Sequence, residues 1–498
     1  MEKVILTGKT LDFEQFNDVV YKGVSVEIDE SAMERARKAR EVLFKMAEKG
    51  KPVYGLNRGV GWNKDKEFDK DFFDQYNRNL LNCHSLGVLP YCTEEEVRGM
   101  MLIRLNTALC GSTGISTEIL KMYKTFLNRK IHPRVKHRGS IGEGDITTLS
   151  LIGQAMMGEG EVNYQGEVID ARKALEKENI KPVIFGPKDG LSIVSSNAQG
   201  ATLCAMVIKE TKEILTLSNL VYCLSLEGLN GVIQSLEELP NKERGLEGQL
   251  YCAEQCRGFL EGSYLYEYDA NRALQDALSF RCAAAIHGSV YDALQYVKKY
   301  ALLQMNSTDD NPYIDLDKED TSVSQNFEVL TLASGIEMLN IVLCHLSKTI
   351  CNRLIKLADP EFTHLSRFLT PCDIKTIAYG TIQKVFSNLD AEIRLLANPS
   401  SMDYMPVAGQ IEDHASNLPL VADKTLHILD DLRYILGIEA MHAVQAIDLR
   451  GITKLGKETN KAKEKIRATV PFLDKDRNLS IDIEKMYRLF KNLEWLLK

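Results

Sequence analysis

Two glycine-bearing loops carry side chains suited to proton transfer or ligand holding. The first, Val53-Tyr54-Gly55-Leu56-Asn57-Arg58-Gly59-Val60-Gly61, sets a tyrosine in a backbone that three glycines leave free to move. By itself, a tyrosine in such a loop usually serves packing. The second runs Gly139-Ser140-Ile141-Gly142-Glu143-Gly144-Asp145 into the amphipathic stretch Ile146 to Met157. This reads as a tight loop feeding a helix N-terminus, with Asp145 or Thr147 as cap and backbone N–H groups turned into the loop. Such a loop can hold an anion or a reactive group.

Four further polar clusters lie within apolar surroundings: Gln275 to Cys282, Asn306 to Pro312, Ser324 to Phe327, and Glu412-Asp413-His414. Singly, each reads as a solvated loop. The last lacks the helical two-histidine spacing of a zinc site, and no metal is expected.

The elements that must position these residues are helical. Ser31 to Lys49, Asp71 to His84 and Glu94 to Leu109 have helical periodicity, whereas Val4-Ile5-Leu6 and Val24-Ser25-Val26 are β-like and 161–190 is polar and turn-rich. Proline is expelled from helix interiors, so the proline-free intervals 188–239, 241–311, 313–359, 372–398 and 420–470 mark very long helices. Between Leu330 and Leu354 apolar residues recur every three to four positions, as a buried face requires. Gly228, Gly231, Gly288 and Gly335 are expected to interrupt these runs, and no useful strand alternation follows residue 200. The expected fold is all-α: an N-terminal region 1–198, a long-helix bundle 199–450 and a helical tail 451–498. Stripes this long exceed what one bundle covers, which points to a symmetric homo-oligomer.

The chain has 498 residues and a net charge of -8 with both signs interspersed, which argues against a nucleic-acid surface. Met1 to Leu6 does not read as a signal peptide, and no stretch of about 18 consecutive apolar residues argues for a membrane partner. Eleven scattered cysteines suit reduced thiols in the cytoplasm.

In order and spacing these motifs resemble the aromatic amino-acid ammonia-lyases, such as histidine and phenylalanine ammonia-lyases. The resemblance runs from Tyr54-Gly55-Leu56-Asn57, Asn79-Leu80 and His84 through Gly139-Ser140-Ile141-Gly142, Lys188-Asp189-Gly190-Leu191, Gly248-Gln249 and Asp310-Asn311-Pro312. It continues through Pro399-Ser400-Ser401, Glu412-Asp413-His414, Glu439 to Arg450 and Val470-Pro471-Phe472-Leu473. It implies an all-α homotetramer with active sites shared between subunits. It also implies a methylidene-imidazolone ring formed by cyclisation of Ala-Ser-Gly, but here one residue is missing and Gly142-Glu143-Gly144 contains no serine to dehydrate. No cofactor is therefore expected. Ser195 replaces the family's pocket asparagine, Leu278 its pocket tyrosine, and Lys384 an apolar helix position.

By the same resemblance Tyr54 takes the substrate's β-proton and Arg281 clamps its carboxylate. His84, Gln275, Phe327 and Glu412 line the pocket. Asn57 and Arg58 from the tyrosine loop, with Ser195 and Asn197, are further substrate-binding positions, and Arg58 is a candidate for the positive charge beside Tyr54. A retained base with a lost electrophile implies a substrate bearing its own good leaving group, so the expected reaction is α,β-elimination of trimethylamine from the thiol-histidine betaine ergothioneine, giving thiourocanate. Lys384 and Glu412 are then the catalytic pair polarising the thioimidazole ring. Lys384 has a second reading as a solvated helix residue, and Glu143 either fills vacated space or faces the leaving group. Alternatives are another betaine such as hercynine, or a non-catalytic member that binds a histidine-like ligand.

Overall fold

The computed structural model describes residues 3–67, 73–371, 375–402 and 405–496. Four helices of 23 to 33 residues dominate it: Ala198–Leu229, Ala283–Met305, Leu330–Leu357 and Leu418–Arg450. The all-α expectation holds. Pro419 is the second residue of its helix, in the first turn, where a missing N–H breaks no intrahelical bond. The expected buried face of Leu330–Leu357 is present: Ala333, Ile336, Leu339, Leu343, Leu346, Ile350 and Leu354 are fully buried. By composition Leu330–Leu357 and the segment Asp189–Leu229 would pass for membrane spans, but the apolar window of the latter is entirely buried within the protein.

The chain forms two compact units whose segments interleave. One comprises Met1–Met206, Lys298–Ser334 and Pro399–Asp423; the other Val207–Val297, Gly335–Asn398 and Lys424–Lys498. Four of their five boundaries fall inside the four long helices and the fifth lies between Asn398 and Pro399, whereas composition divides the chain at 198 and 450.

Among the described residues all strands lie in the first unit, and none exceeds four residues. Val4–Leu6 pairs in parallel with Val26–Ile28, two residues beyond the expected β-like stretch. Val88–Tyr91 pairs antiparallel with Lys136–Arg138. The turn-rich segment after 160 forms a hairpin, Glu161–Tyr164 with Glu167–Asp170, that also pairs His132–Pro133, and a second hairpin joins Tyr313–Asp315 to Asp320–Ser322. The helix Glu94–Ala108 starts at a reciprocal cap in which Thr93 and Glu96 satisfy each other's backbone N–H groups. Phe73–His84, Ile146–Met156 and Asp189–Val194 pack on one another.

In the second unit the glycines at 228, 288 and 335 do not interrupt helices but lie within them. A Cβ on Gly288 would stand 2.4 Å from the Gln249 nitrogen, so glycine here permits a close helix crossing. Gly231 does end its helix, after Asn230 turns left-handed at φ 64°. Arg353 and Glu439, both fully buried, pair across two long helices, and Ser225 donates a 2.9 Å hydrogen bond to the same carboxylate.

Candidate active site

The Tyr54 loop is held by short-range bonds rather than regular structure. Asn57 Oδ1 accepts from the Val53 N–H at 2.7 Å, and Asn57 Nδ2 donates to the Lys51 carbonyl at 2.9 Å. Gly55 has φ 71°, and a Cβ there would run into Leu191. The Gly61 N–H donates to Tyr54 Oη at 2.8 Å, which favours the phenolate. Burial outweighs it and raises the Tyr54 pKa, with the Glu412 carboxylate acting in the same direction.

Arg58, a candidate with other cationic groups for the charge beside Tyr54, pairs with Glu67 at 2.9 Å, while the Glu412 carboxylate acts on Tyr54. Tyr76, on Phe73–His84, is a neighbour that motif matching missed. Burial, then the charge of Tyr54, pushes its phenol up to about 12.

The second loop is built around Asp145. It precedes Ile146–Met156 but does not cap that helix through its side chain. Its Oδ2 instead accepts from the N–H groups of Gln199 at 2.8 Å and Gly200 at 3.0 Å, the first turn of Ala198–Leu229. Ser140 Oγ donates to Oδ1 at 2.6 Å. Burial raises the Asp145 pKa to about 6 against these bonds. Thr147, the other expected cap, donates instead to the Gly139 carbonyl.

Asn197 links this loop to the rest of the site. Its Oδ1 accepts from the Gly144 N–H at 2.7 Å, and its Nδ2 donates to the Phe327 carbonyl. Asp309 Oδ2 accepts from Ser196 Oγ at 2.7 Å and the Asn197 N–H at 2.9 Å. Asp309 and Asp310 in turn face Arg104 at 3.3 and 3.1 Å, all three fully buried. Lys188 donates to the Thr113 carbonyl beside them, and burial lowers its pKa to about 8. Asp309 and Asp310 stood in a recognised polar cluster; nothing in the sequence paired them with Arg104.

Glu143 occupies the apex of the loop. The Ser416 N–H donates to its Oε1 at 3.1 Å, and its carboxyl is hydrogen-bonded to that of Glu328. His414 Nε2 lies 3.0 Å from the other side of Glu328. Burial, and then the charge of Glu328, raises the Glu143 pKa to about 8. The residues present do not fit the family's ring, since a carboxylate side chain stands between Gly142 and Gly144 where a serine would have to dehydrate.

The held proton has a measurable consequence. Folded Glu143 keeps it up to about pH 8 while an unfolded glutamic acid releases it near 4.5, so stability falls as pH rises between those values. Glu143→Gln should remove this dependence. Equilibrium denaturation at pH 5 and pH 9 should show wild type losing roughly 1 kcal/mol more than the variant, a value discounted for partial solvent access. Equal losses would place the proton elsewhere.

His84, at the end of Phe73–His84, directs Nδ1 to the Leu80 carbonyl at 2.6 Å, which leaves Nε2 as an acceptor. Ser195 ends the helix Asp189–Val194, its N–H donating to the Leu191 carbonyl. Tyr54, Asn57, Arg58, His84, Ser195, Asn197, Phe327 and Glu412 thus all belong to the first unit. Gln275, Arg281 and Lys384 belong to the second, where all three are exposed and Arg281 donates to Gln275 Oε1.

A family model for aromatic amino acid lyases matches residues 11–468. The histidine ammonia-lyase of Shouchella clausii is 31% identical over 490 residues, 98% of each chain, and that of Geobacillus sp. 30% over 493. Among solved structures, the ergothioneine-degrading ergothionase of Treponema denticola, in complex with desmethyl-ergothioneine sulfonic acid, superposes with a TM-score of 0.97 at 59% identity, covering 99% of this chain and all of that one. Histidine ammonia-lyase from Trypanosoma cruzi superposes with a TM-score of 0.91 at 25% identity, covering 100% of this chain and 94% of the other.

Proposed function

The chain belongs to the aromatic amino acid lyase family, and from that premise we propose that this carbon–nitrogen lyase eliminates trimethylamine from ergothioneine, leaving thiourocanate, without a methylidene-imidazolone ring. The observation that carries the reading is Glu143, a carboxyl side chain where the family's electrophile would form. The likeness to the Treponema denticola ergothionase along the whole chain supports it.

A primary amine needs its leaving ability raised by an electrophile, whereas a quaternary trimethylammonium has no lone pair to attack and departs as a neutral amine. Tyr54 takes the β-proton, the C–H pair becomes the Cα=Cβ bond, and the C–N pair leaves with trimethylamine. The positive charge that Tyr54 needs then arrives with the substrate. Arg281 clamps the carboxylate, while Lys384 and Glu412 polarise the thioimidazole ring.

We further infer a homotetramer with shared sites. Leu303, Ile341 and Ile355 on the long helices are 47 to 56% exposed in the single chain. Apolar stripes of this kind ask for a partner.

Incubating the full chain with ergothioneine, hercynine and histidine, with assays for trimethylamine, ammonia and ultraviolet absorbance, tests the reading. Trimethylamine and a new conjugated absorbance from ergothioneine are expected. Trimethylamine from hercynine alone would transfer the activity to that betaine, and product from neither would leave a binding protein. Ammonia from histidine would overturn the ring-free chemistry.

A further inference from the structure

A second group of potential ligands lies where Lys136–Arg138 passes the start of Glu94–Ala108, and the elimination chemistry does not use it. Cys92 Sγ is 3.8 Å and Glu96 Oε1 3.5 Å from His137 Nδ1, and the three atoms lie within 4.8 Å of one another. On the opposite edge of the ring, His137 Nε2 is 3.0 Å from Asp423 Oδ1. Cys92 is 7% exposed, and the side chains of Glu96 and His137 are 11 and 12% exposed.

We propose that Cys92, Glu96 and His137 form a binding site for a zinc-class divalent cation, with Asp423 orienting the histidine. Zinc takes sulfur at about 2.3 Å and nitrogen or oxygen at about 2.0–2.2 Å in tetrahedral geometry, which sets neighbouring ligand atoms roughly 3.3–3.6 Å apart. The measured separations from His137 need to contract by only a few tenths of an ångström. One sulfur, one imidazole nitrogen and one carboxylate favour a borderline-soft ion over magnesium or calcium.

The surroundings have the form of a metal site's outer shell. Glu96 Oε2 is committed to the Thr93 N–H at 2.7 Å, which directs Oε1 toward the other two ligands. With Nδ1 on the metal, His137 Nε2–H donates to Asp423, the carboxylate–histidine–metal arrangement that fixes the tautomer. The Cys92 N–H is tied to the Val135 carbonyl at 2.8 Å, so strand and helix start are already in register. Three protein ligands leave a fourth position for water, and binding releases the Cys92 thiol proton to solvent. The His137 carbonyl accepts from Gln199 Nε2, so the ion would brace the strand that leads into the Glu143 loop. Cys92 and His137 lie 45 residues apart in sequence and carry no recognisable zinc spacing.

The test uses the full-length protein, stripped with a chelator and titrated with Co²⁺ and then Zn²⁺. Wild type should take up one cobalt per chain with a thiolate-to-cobalt charge-transfer band, and zinc should abolish that band. Cys92→Ser should lose the band, and Asp423→Asn should keep it while binding about 10–100-fold more weakly. A wild-type protein without the band would mean that His137 serves only as an ion-pair partner of Glu96 and Asp423. A band surviving in Cys92→Ser would assign the metal to another cysteine, and either result overturns the proposal. Circular dichroism of each variant separates lost binding from lost fold.

Discussion

Tyr54→Phe should lower trimethylamine release from ergothioneine by about 10²–10⁴-fold while leaving substrate affinity nearly unchanged. The asymmetry follows from what the hydroxyl touches. Tyr54 Oη accepts from the Gly61 N–H at 2.8 Å, a part-buried contact whose loss leaves the bonds of Asn57 to Val53 and Lys51 in place. The ring continues to fill its site, but no group remains to take the β-proton. Because burial and the Glu412 carboxylate raise the Tyr54 pKa, wild-type turnover should climb with pH through the alkaline range as the phenolate forms, and residual turnover of the variant should lack that rise. Trimethylamine release paired with isothermal titration of the substrate gives both quantities. Near-normal turnover in Tyr54→Phe would remove it as the base, whereas lost binding with unchanged turnover at saturation would make it a contact residue only.

The sequence was most legible where one local rule was enough. Four of the five proline-free intervals hold the long helices, while 372–398 holds the 14-residue Gln383–Leu396, and three-to-four periodicity identified the fully buried face of Leu330–Leu357. Glycine was read wrongly at Gly288 because its neighbour, Gln249, is 39 positions away and local propensity carries no record of a helix crossing. Asp145 failed similarly: its short polar side chain before an amphipathic run suits a cap, but the N–H groups it satisfies are those of Gln199 and Gly200, 54 and 55 residues on. The hairpins at 161–170 and 313–322 have strands of three or four residues, too short for alternation to register. In the site, Tyr54 and Glu143 could be found from motif and departure from motif. Glu328, which shares a hydrogen bond with Glu143, was hidden beside Phe327, because a carboxyl pair from distant segments has no sequence signature. Arg281 and Lys384 are named only through the family resemblance, and both are exposed in the single chain.

Arg104→Met should destabilise the protein by about 3–5 kcal/mol, or prevent it from folding, despite removing only one side chain that is itself no expected substrate contact. Arg104, Asp309 and Asp310 are fully buried. The guanidinium donates to both Asp310 oxygens at 3.1–3.2 Å, to Asp309 at 3.3 Å and to the Ser192 carbonyl. Methionine fills much of the volume but takes the guanidinium from two buried carboxylates, leaving Lys188 as a neighbouring cation, and their protonation or hydration must supply the deficit. The damage should reach the site because Asp309 also holds Ser196 Oγ and the Asn197 N–H, and Asn197 holds Gly144 and Phe327. Arg104→Met combined with Asp310→Asn, which removes one of the orphaned charges, should recover part of the loss, so that the double variant is more stable than Arg104→Met alone. Urea denaturation of the three proteins reads the coupling. Additive losses would show that Arg104 acts through packing, and a stable, fully active Arg104→Met would show that the buried carboxylates do not need its charge to hold the Glu143 loop.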